Sequence, residues 1–302
     1  MERRGVRIAD TFAEAFDMRA ARVLVTAKSP TWARTAVQSM AGFATSVIGC
    51  KVEAALEADL APEETPDGRP GASVLLFASD AEGLGKRLVE RVGQTILTCP
   101  TTACFDGLPG ASERAMVGGV LRHFGDRFQS SKFLDGHRYW RIPVMEGEFL
   151  VQETFGVQEA IGGGNFLILA ASQDAALASA EAAVDVMRGV RGVALPFPGG
   201  IVRAGSKVGA KHYKNMVAST NDAYCPTLRG RVDVTSALPE GVNSVLEIVV
   251  DGLDRRAIED AMRGGIEAAC RPGVAEISAG NFGGKLGRHH FGLHALFSDA
   301  ST

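Results

Sequence analysis

One carboxylate in this 302-residue chain stands out because of its neighbours. The run Ser244 to Asp251 (SVLEIVVD) reads as a strand, in which alternate side chains share a face, so Glu247 lies beside Val245 and Val249. Water is scarce next to valines, the charged form is disfavoured, and the pKa rises. A carboxyl group tuned in this way is a proton donor near neutral pH. An edge-strand glutamate facing solvent would show the same periodicity, so both readings stay open at this point.

Glycine and positive charge fall in the same half of the chain. Glycine-rich segments occur at 162–165 (GGGN), 196–200 (PFPGG) and 280–287 (GNFGGKLG). Neither a dinucleotide nor a P-loop fingerprint fits. Leu167 stands where GxGxxG needs its last glycine, and Ala279 and Leu286 stand where a P-loop needs Gly and Ser/Thr around Gly284-Lys285. Singly each segment is a tight turn; together they suggest a ligand-lined cleft. From 186 to 221, Arg188, Arg191, Arg203, Lys207, Lys211 and Lys214 occur without an Asp or Glu, and 277–297 holds Lys285 and Arg288 without one. Solvated loops can carry such charge, but beside glycine turns it suits anionic small molecules.

Covalent and metal chemistry have no signature. AGSKVG at 204–209 has Ala204 where GxSxG needs glycine, and the histidines at 123, 137, 212, 289, 290 and 294 form no HExxH or related pattern. The five cysteines, at 50, 99, 104, 225 and 270, show no CxxC spacing and are expected to be free thiols.

The elements that must position these residues are written twice. Asp10-Thr11-Phe12 and Arg22 to Ser29 (RVLVTAKS) match Glu153-Thr154-Phe155 and Asn165 to Ser172 (NFLILAAS) at an offset of 143. Ser73 to Asp80 (SVLLFASD) matches Ser244 to Asp251 at an offset of 171, as Cys99 does Cys270. Each copy reads strand, Ser-capped helix, strand, strand, helix, strand. The expected fold is therefore α+β, with two ferredoxin-like (β-α-β-β-α-β) lobes from an internal duplication. The first would span 1–147, including a hairpin at 132–144 turning at Asp135-Gly136, and the second 148–302. At the 171 offset Glu247 replaces Leu76, a carboxylate where the other copy has a core residue.

Composition sets the outer bounds. Hydrophobic residues make up 46% and charged residues 22%, as in globular proteins. No apolar run approaches the roughly 20 residues of a membrane span. The opening MERRGVRIAD lacks the apolar core of a secretory signal, so a cytoplasmic protein without membrane association is expected. A net charge of −3, with no aromatics interleaved among the basic residues, argues against nucleic acid.

Several segments together resemble one family. PEETPDGRPG at 62–71, PTTACFDGLP at 100–109, IPVMEGEFL at 142–150, PFPGGIVRAGSK at 196–207, LEIVVDGLD at 246–254 and ISAGNFGGKLGRHHFGLHALF at 277–297 are similar to formylmethanofuran:tetrahydromethanopterin formyltransferases. The similarity runs from about residue 5 to 297. The resemblance implies two ferredoxin-like lobes in a homotetramer. It also implies reversible transfer of a formyl group between a methanofuran amine and N5 of tetrahydromethanopterin, both acting as substrates, with no bound cofactor. A bacterial version works beside hydrolase-complex subunits, and the excess of arginine over lysine, 24 to 8, points to that version.

Formyl transfer between nitrogens passes through a tetrahedral intermediate with a negative oxygen, so donors and a proton path are needed. Without a nucleophile signature, direct attack within a ternary complex is expected, aided mainly by positioning. Glu247, matching the family's strand glutamate, would be the protonated donor. Thr101, Thr102, Gly199, Gly200, Asn281 and Lys285 lie in the resembling motifs and are expected to line the cleft. Lys207, Lys211 and Lys214 would meet the anionic parts of the substrates. Two competing classes are a non-catalytic carrier-binding subunit and a ferredoxin-like nucleic-acid module; the latter would need aromatics on the sheet, where Val, Leu and Ile stand instead.

Overall fold

The computed structural model describes residues 1–298. Two serines and two aspartates set where its main helices begin. Ser29 and Ser172 accept hydrogen bonds from Trp32 N and Ala175 N at the starts of Pro30–Ala41 and Gln173–Met187. Asp80 and Asp254 do the same from Gly83 N and Ala257 N for Ala81–Arg91 and Arg255–Ala269.

Packed on these helices lie two half-sheets of the same strand order, in a mixed α/β architecture. In the first half the order is Glu53–Leu60, Gly71–Ala78, Phe12–Thr26, Ala103–Asp106. In the second it is Val193–Ala194, Ser244–Gly252, Thr154–Ala170, Val274–Ser278. One face of each sheet packs on its pair of helices. Val23, Val74 and Leu76 meet Ala36, Val37 and Leu84 in the first core, and Phe166, Ile168, Ile248 and Val250 meet Ala180, Val184 and Ile266 in the second.

The long strands Phe12–Thr26 and Thr154–Ala170 also pair with each other, from Phe16↔Gly162 to Ala20↔Gln158, so the halves share one sheet. The ends of the chain cross between halves: Val6–Ile8 lies parallel to Val274–Ser278, and His289–Gly292 pairs with the start of Phe12–Thr26. The expected hairpin forms from Ser130–Leu134 and His137–Val144. Asp135 and Gly136 both have positive φ, 49° and 81°, as a type I′ turn requires. The next strand, Gly147–Gln152, pairs with Ala103–Asp106 and extends the first half's sheet past residue 147.

The second repeat offset needs correction. The first helices of the two halves are capped at Ser29 and Ser172, which keeps the offset of 143, but the second helices are capped at Asp80 and Asp254, 174 apart. Cross-strand pairs agree: Leu24 faces Ser73, and Leu167, 143 residues on, faces Glu247. The counterpart of Glu247 is thus Ser73, not Leu76. Strand periodicity is two, so a register error of three residues exchanges the faces. Leu76 points into the helix-packed core, whereas Glu247 belongs to the opposite, helix-free face.

Candidate active site

That helix-free face borders a cavity of about 970 Å³. Its floor is Val245, Glu247, Val249 and Leu167; its walls are the segments 202–207, 279–282 and 46–49, the last brought over from the first half. Glu247 exchanges backbone hydrogen bonds with Val202, 2.8 and 3.0 Å long, which hold the 202–207 segment against the strand. Its side chain keeps an opening toward the cavity, while aliphatic neighbours exclude most water. Burial alone lifts its pKa to about 7, without help from a neighbouring charge. Of the two sequence-level readings, the shielded carboxyl is the one observed.

The glycine-rich segment 280–287 wraps a carboxylate of the protein itself. Glu14, only 1% exposed, accepts four backbone N–H groups: Phe282 at 2.7 Å, Gly284 at 2.8 Å, and Leu286 and Gly287 at 2.6 Å each. Burial opposes its ionisation, but the four donors together outweigh it and hold the pKa down at about 2. Gly283 and Gly284 supply φ near 70°, and a Cβ at Gly287 would lie 2.4 Å from Ala15 O. The loop's anion-binding capacity is therefore spent internally, and its yield is a fixed Asn281-Phe282 wall. Asn165 supports the same wall: its Oδ1 accepts Gly280 N at 2.6 Å and its Nδ2 donates to Gly163 O and Gly280 O.

Of the residues singled out from sequence, Glu247, Lys207 and Asn281 line the cavity. Asn281 uses its amide to tie the turn down, donating to Thr11 Oγ1 and Phe12 O. Lys207 and Lys211 both pair with Asp222, one residue past the acid-free stretch, and hold its carboxyl well below the usual range. Lys214 and Lys285 are exposed and outside the cavity lining. Gly199 and Gly200 lie outside the cavity lining, forming with positive φ the turn that leads into Ile201 and Val202; Gly200 packs on Val184. Thr101 and Thr102 do not line it either. Thr102 Oγ1 donates to Ile96 O, Thr101 Oγ1 accepts Lys28 N, and Thr101 O accepts Arg69 Nη1, so both brace the entry to Ala103–Asp106. Arg203, Glu14, Glu53 and Asn165 line the cavity without having been selected. Glu14 carried the signal that marked Glu247, an acid in a strand whose neighbours on the same face, Phe12 and Phe16 of FAEAF, are apolar.

A family model described as formylmethanofuran-tetrahydromethanopterin formyltransferase matches residues 1–144, and a second, described as the FTR proximal lobe, matches 147–296. The chain belongs to the formylmethanofuran–tetrahydromethanopterin formyltransferase family. A family member from Methylococcus capsulatus is 58% identical over 97% of this chain and 99% of its own. The formyltransferase structure from Methanosarcina barkeri superposes with a TM-score of 0.94 at 48% identity, covering 98% of this chain and 100% of the other. A chain of the Methylorubrum extorquens formyltransferase/hydrolase complex, solved with methylofuran, gives 0.94 at 49% identity, with 98% of both chains covered. These formyltransferases thus share the architecture that forms the cavity around Glu247.

Proposed function

We propose that this chain transfers a formyl group between N5 of tetrahydromethanopterin and the amine of methanofuran or an analogue, in the cavity around Glu247. The observation that carries this reading is a carboxyl on the floor of a large cavity, its pKa raised by burial, in a chain matched end to end by formyltransferases. The acceptor amine attacks the formyl carbon directly, forming the tetrahedral adduct; the adduct collapses with loss of the donor nitrogen. Glu247 supplies the proton for the developing oxyanion or the departing nitrogen, and recovers one from the attacking amine. Lys207 and Arg203, in the cavity lining, meet the anionic portions of the substrates. Both carriers enter as substrates, and no resident cofactor is required.

Several finer readings belong with it. Each half is a ferredoxin-like lobe, 1–147 and 148–302, supported by the equal strand orders and by family matches that part near residue 145. Hydrolase-complex partners are supported by a 51% identical relative from Methylorubrum extorquens, whose name makes it one component of a formyltransferase/hydrolase complex. A homotetramer in the cytoplasm remains the reading taken from the family; no helix among the described residues is long and apolar enough to cross a membrane. The test is a transfer assay with purified protein, 5-formyl-tetrahydromethanopterin and a methanofuran-type amine. Formation of the formylated amine without added partner proteins is expected. Binding of both without transfer would favour a carrier role instead.

A further inference from the structure

Two acids from different halves meet beside the cavity, which Glu53 lines. Asp251, fully buried, lies four residues beyond Glu247 on the same strand face; Glu53, 8% exposed, opens the strand Glu53–Leu60. The available donors are spent on one oxygen of each. Asp251 Oδ1 accepts Gly163 N at 2.9 Å, and Glu53 Oε1 accepts Val47 N at 2.9 Å. The first bond explains the GGGN segment: a bulge between Ile161 and Gly164 turns Gly163 N toward Asp251, and a Cβ at Gly162 would lie 1.9 Å from Met18 Sδ. Asp251 Oδ2 is left buried without an N–H or O–H partner. The two carboxyl groups lie close enough to interact with each other. Two carboxylates this close in a buried site repel unless a proton lies between them.

Among the described residues no cation neutralises the pair. Asp17 on Phe12–Thr26 is engaged with Arg288 and His289, Arg19 with Glu113 and Glu159, and Arg22 with Glu57; Lys51 donates to Ile48 O. The buried hydrophobic residues of this face are Met18, Ala20, Leu75, Phe77, Ala160 and Ala194, and the amide of Gln158, which shares the face of Ala160, donates to Leu253 O.

We propose that Glu53 and Asp251 share one proton and act as a positioning pair, latching the cavity wall 46–49 to the strand that carries Glu247. The proposal rests on formyl transfer occurring in this cavity. Val47 N hangs from Glu53 and Gly163 N from Asp251, so the proton joins the wall of one half to the floor of the other. Burial raises both carboxyls, and for Asp251 the neighbouring Glu53 adds to the rise. When the shared proton leaves as pH rises, two like charges in a buried contact repel, the wall separates, and substrate binding fails.

The pair can be tested apart from Glu247 in the E247Q protein. Infrared difference spectra across pH should contain a protonated-carboxyl band at neutral pH that bleaches as pH rises and is absent from E247Q/D251N. Affinity of E247Q for a methanofuran-type amine, measured by calorimetry, should weaken about tenfold per pH unit above the bleaching midpoint. In E247Q/D251N the amide donates permanently to Glu53, so affinity should stay level across the same range. No protonated band at neutral pH, or affinity that ignores the bleaching, would overturn the proposal. The infrared arm needs no substrate. A protein that keeps the band yet binds no amine at any pH would count against formyl transfer and for the shared proton.

Discussion

Ser73 and Glu247 occupy equivalent positions in the two halves, each paired across its sheet with one of the leucines Leu24 and Leu167. The helix-free face on which both stand is treated differently in each half. In the first, Leu75 and Phe77 are covered by Ala160 and Ala194 of the second half. In the second, cover comes from the loops between Val202 and Val242, through Tyr224 and Leu238 over Leu167 and Leu169. Those loops do not fill the space, and the carboxyl of Glu247 borders what is left.

An uncharged isostere at Glu247 should stabilise the protein above neutral pH. The pKa is raised from 4.5 to about 7, so the group's contribution to stability is complete below about pH 4.5 and declines as pH rises to about 7. E247Q does not incur that loss. Its advantage at pH 8 should approach but not exceed about 3 kcal/mol and vanish near pH 4, read from denaturant unfolding of both proteins. Equal pH dependence in the two would mean that the carboxyl is not shielded from water.

Glu14 titrates with the opposite sign. Its pKa is lowered to about 2, so its stabilisation is present above about pH 4.5 and fades as pH falls toward 2. E14A leaves four loop N–H groups without their acceptor and should lower Tm by roughly 5 °C or more. Amide exchange should rise at residues 282–287 before it rises elsewhere. Uniform exchange would indicate that the loop does not depend on this carboxylate.

Asn165→Ala removes three hydrogen bonds to Gly163 and Gly280 and should loosen the turn carrying Asn281. Positioning is lost while the proton donor remains. KM for the acceptor should rise several-fold, and the pH dependence of kcat should match that of the wild type.

Lys207 should matter more than Lys285 or Lys214. Only Lys207 lines the cavity, and Asp222 tempers its charge. K207A should raise KM several-fold and flatten its increase with ionic strength, whereas K214A and K285A should keep both near wild-type values. A stronger effect from K285A would relocate the anion contact.

The like order of elements in the two halves, the helix starts and the hairpin were legible because each rests on local chemistry: capping serines, alternating apolar residues, an Asp-Gly turn. The register between Gly71–Ala78 and Ser244–Gly252 was not, because SVLL and SVLE are alike as strings while the strands end three residues out of step at Asp80 and Asp254. Glu247 was found through its valine neighbours although its supposed counterpart was wrong. Glu14 and Asp251 carry the same pattern; their partners, a loop some 270 residues away and a glutamate of the other half, become visible only after folding. Thr101 and Thr102 lay in a resembling motif whose purpose here is to brace a strand.

Single-turnover formyl transfer in the wild type and E247Q across the neutral range tests the central claim most directly. The wild-type rate should fall as pH rises through about 7, where Glu247 loses its proton, and E247Q should be slower by about 10²-fold or more with no such transition. An E247Q enzyme as fast as the wild type, or one that keeps the wild-type pH transition, would contradict it.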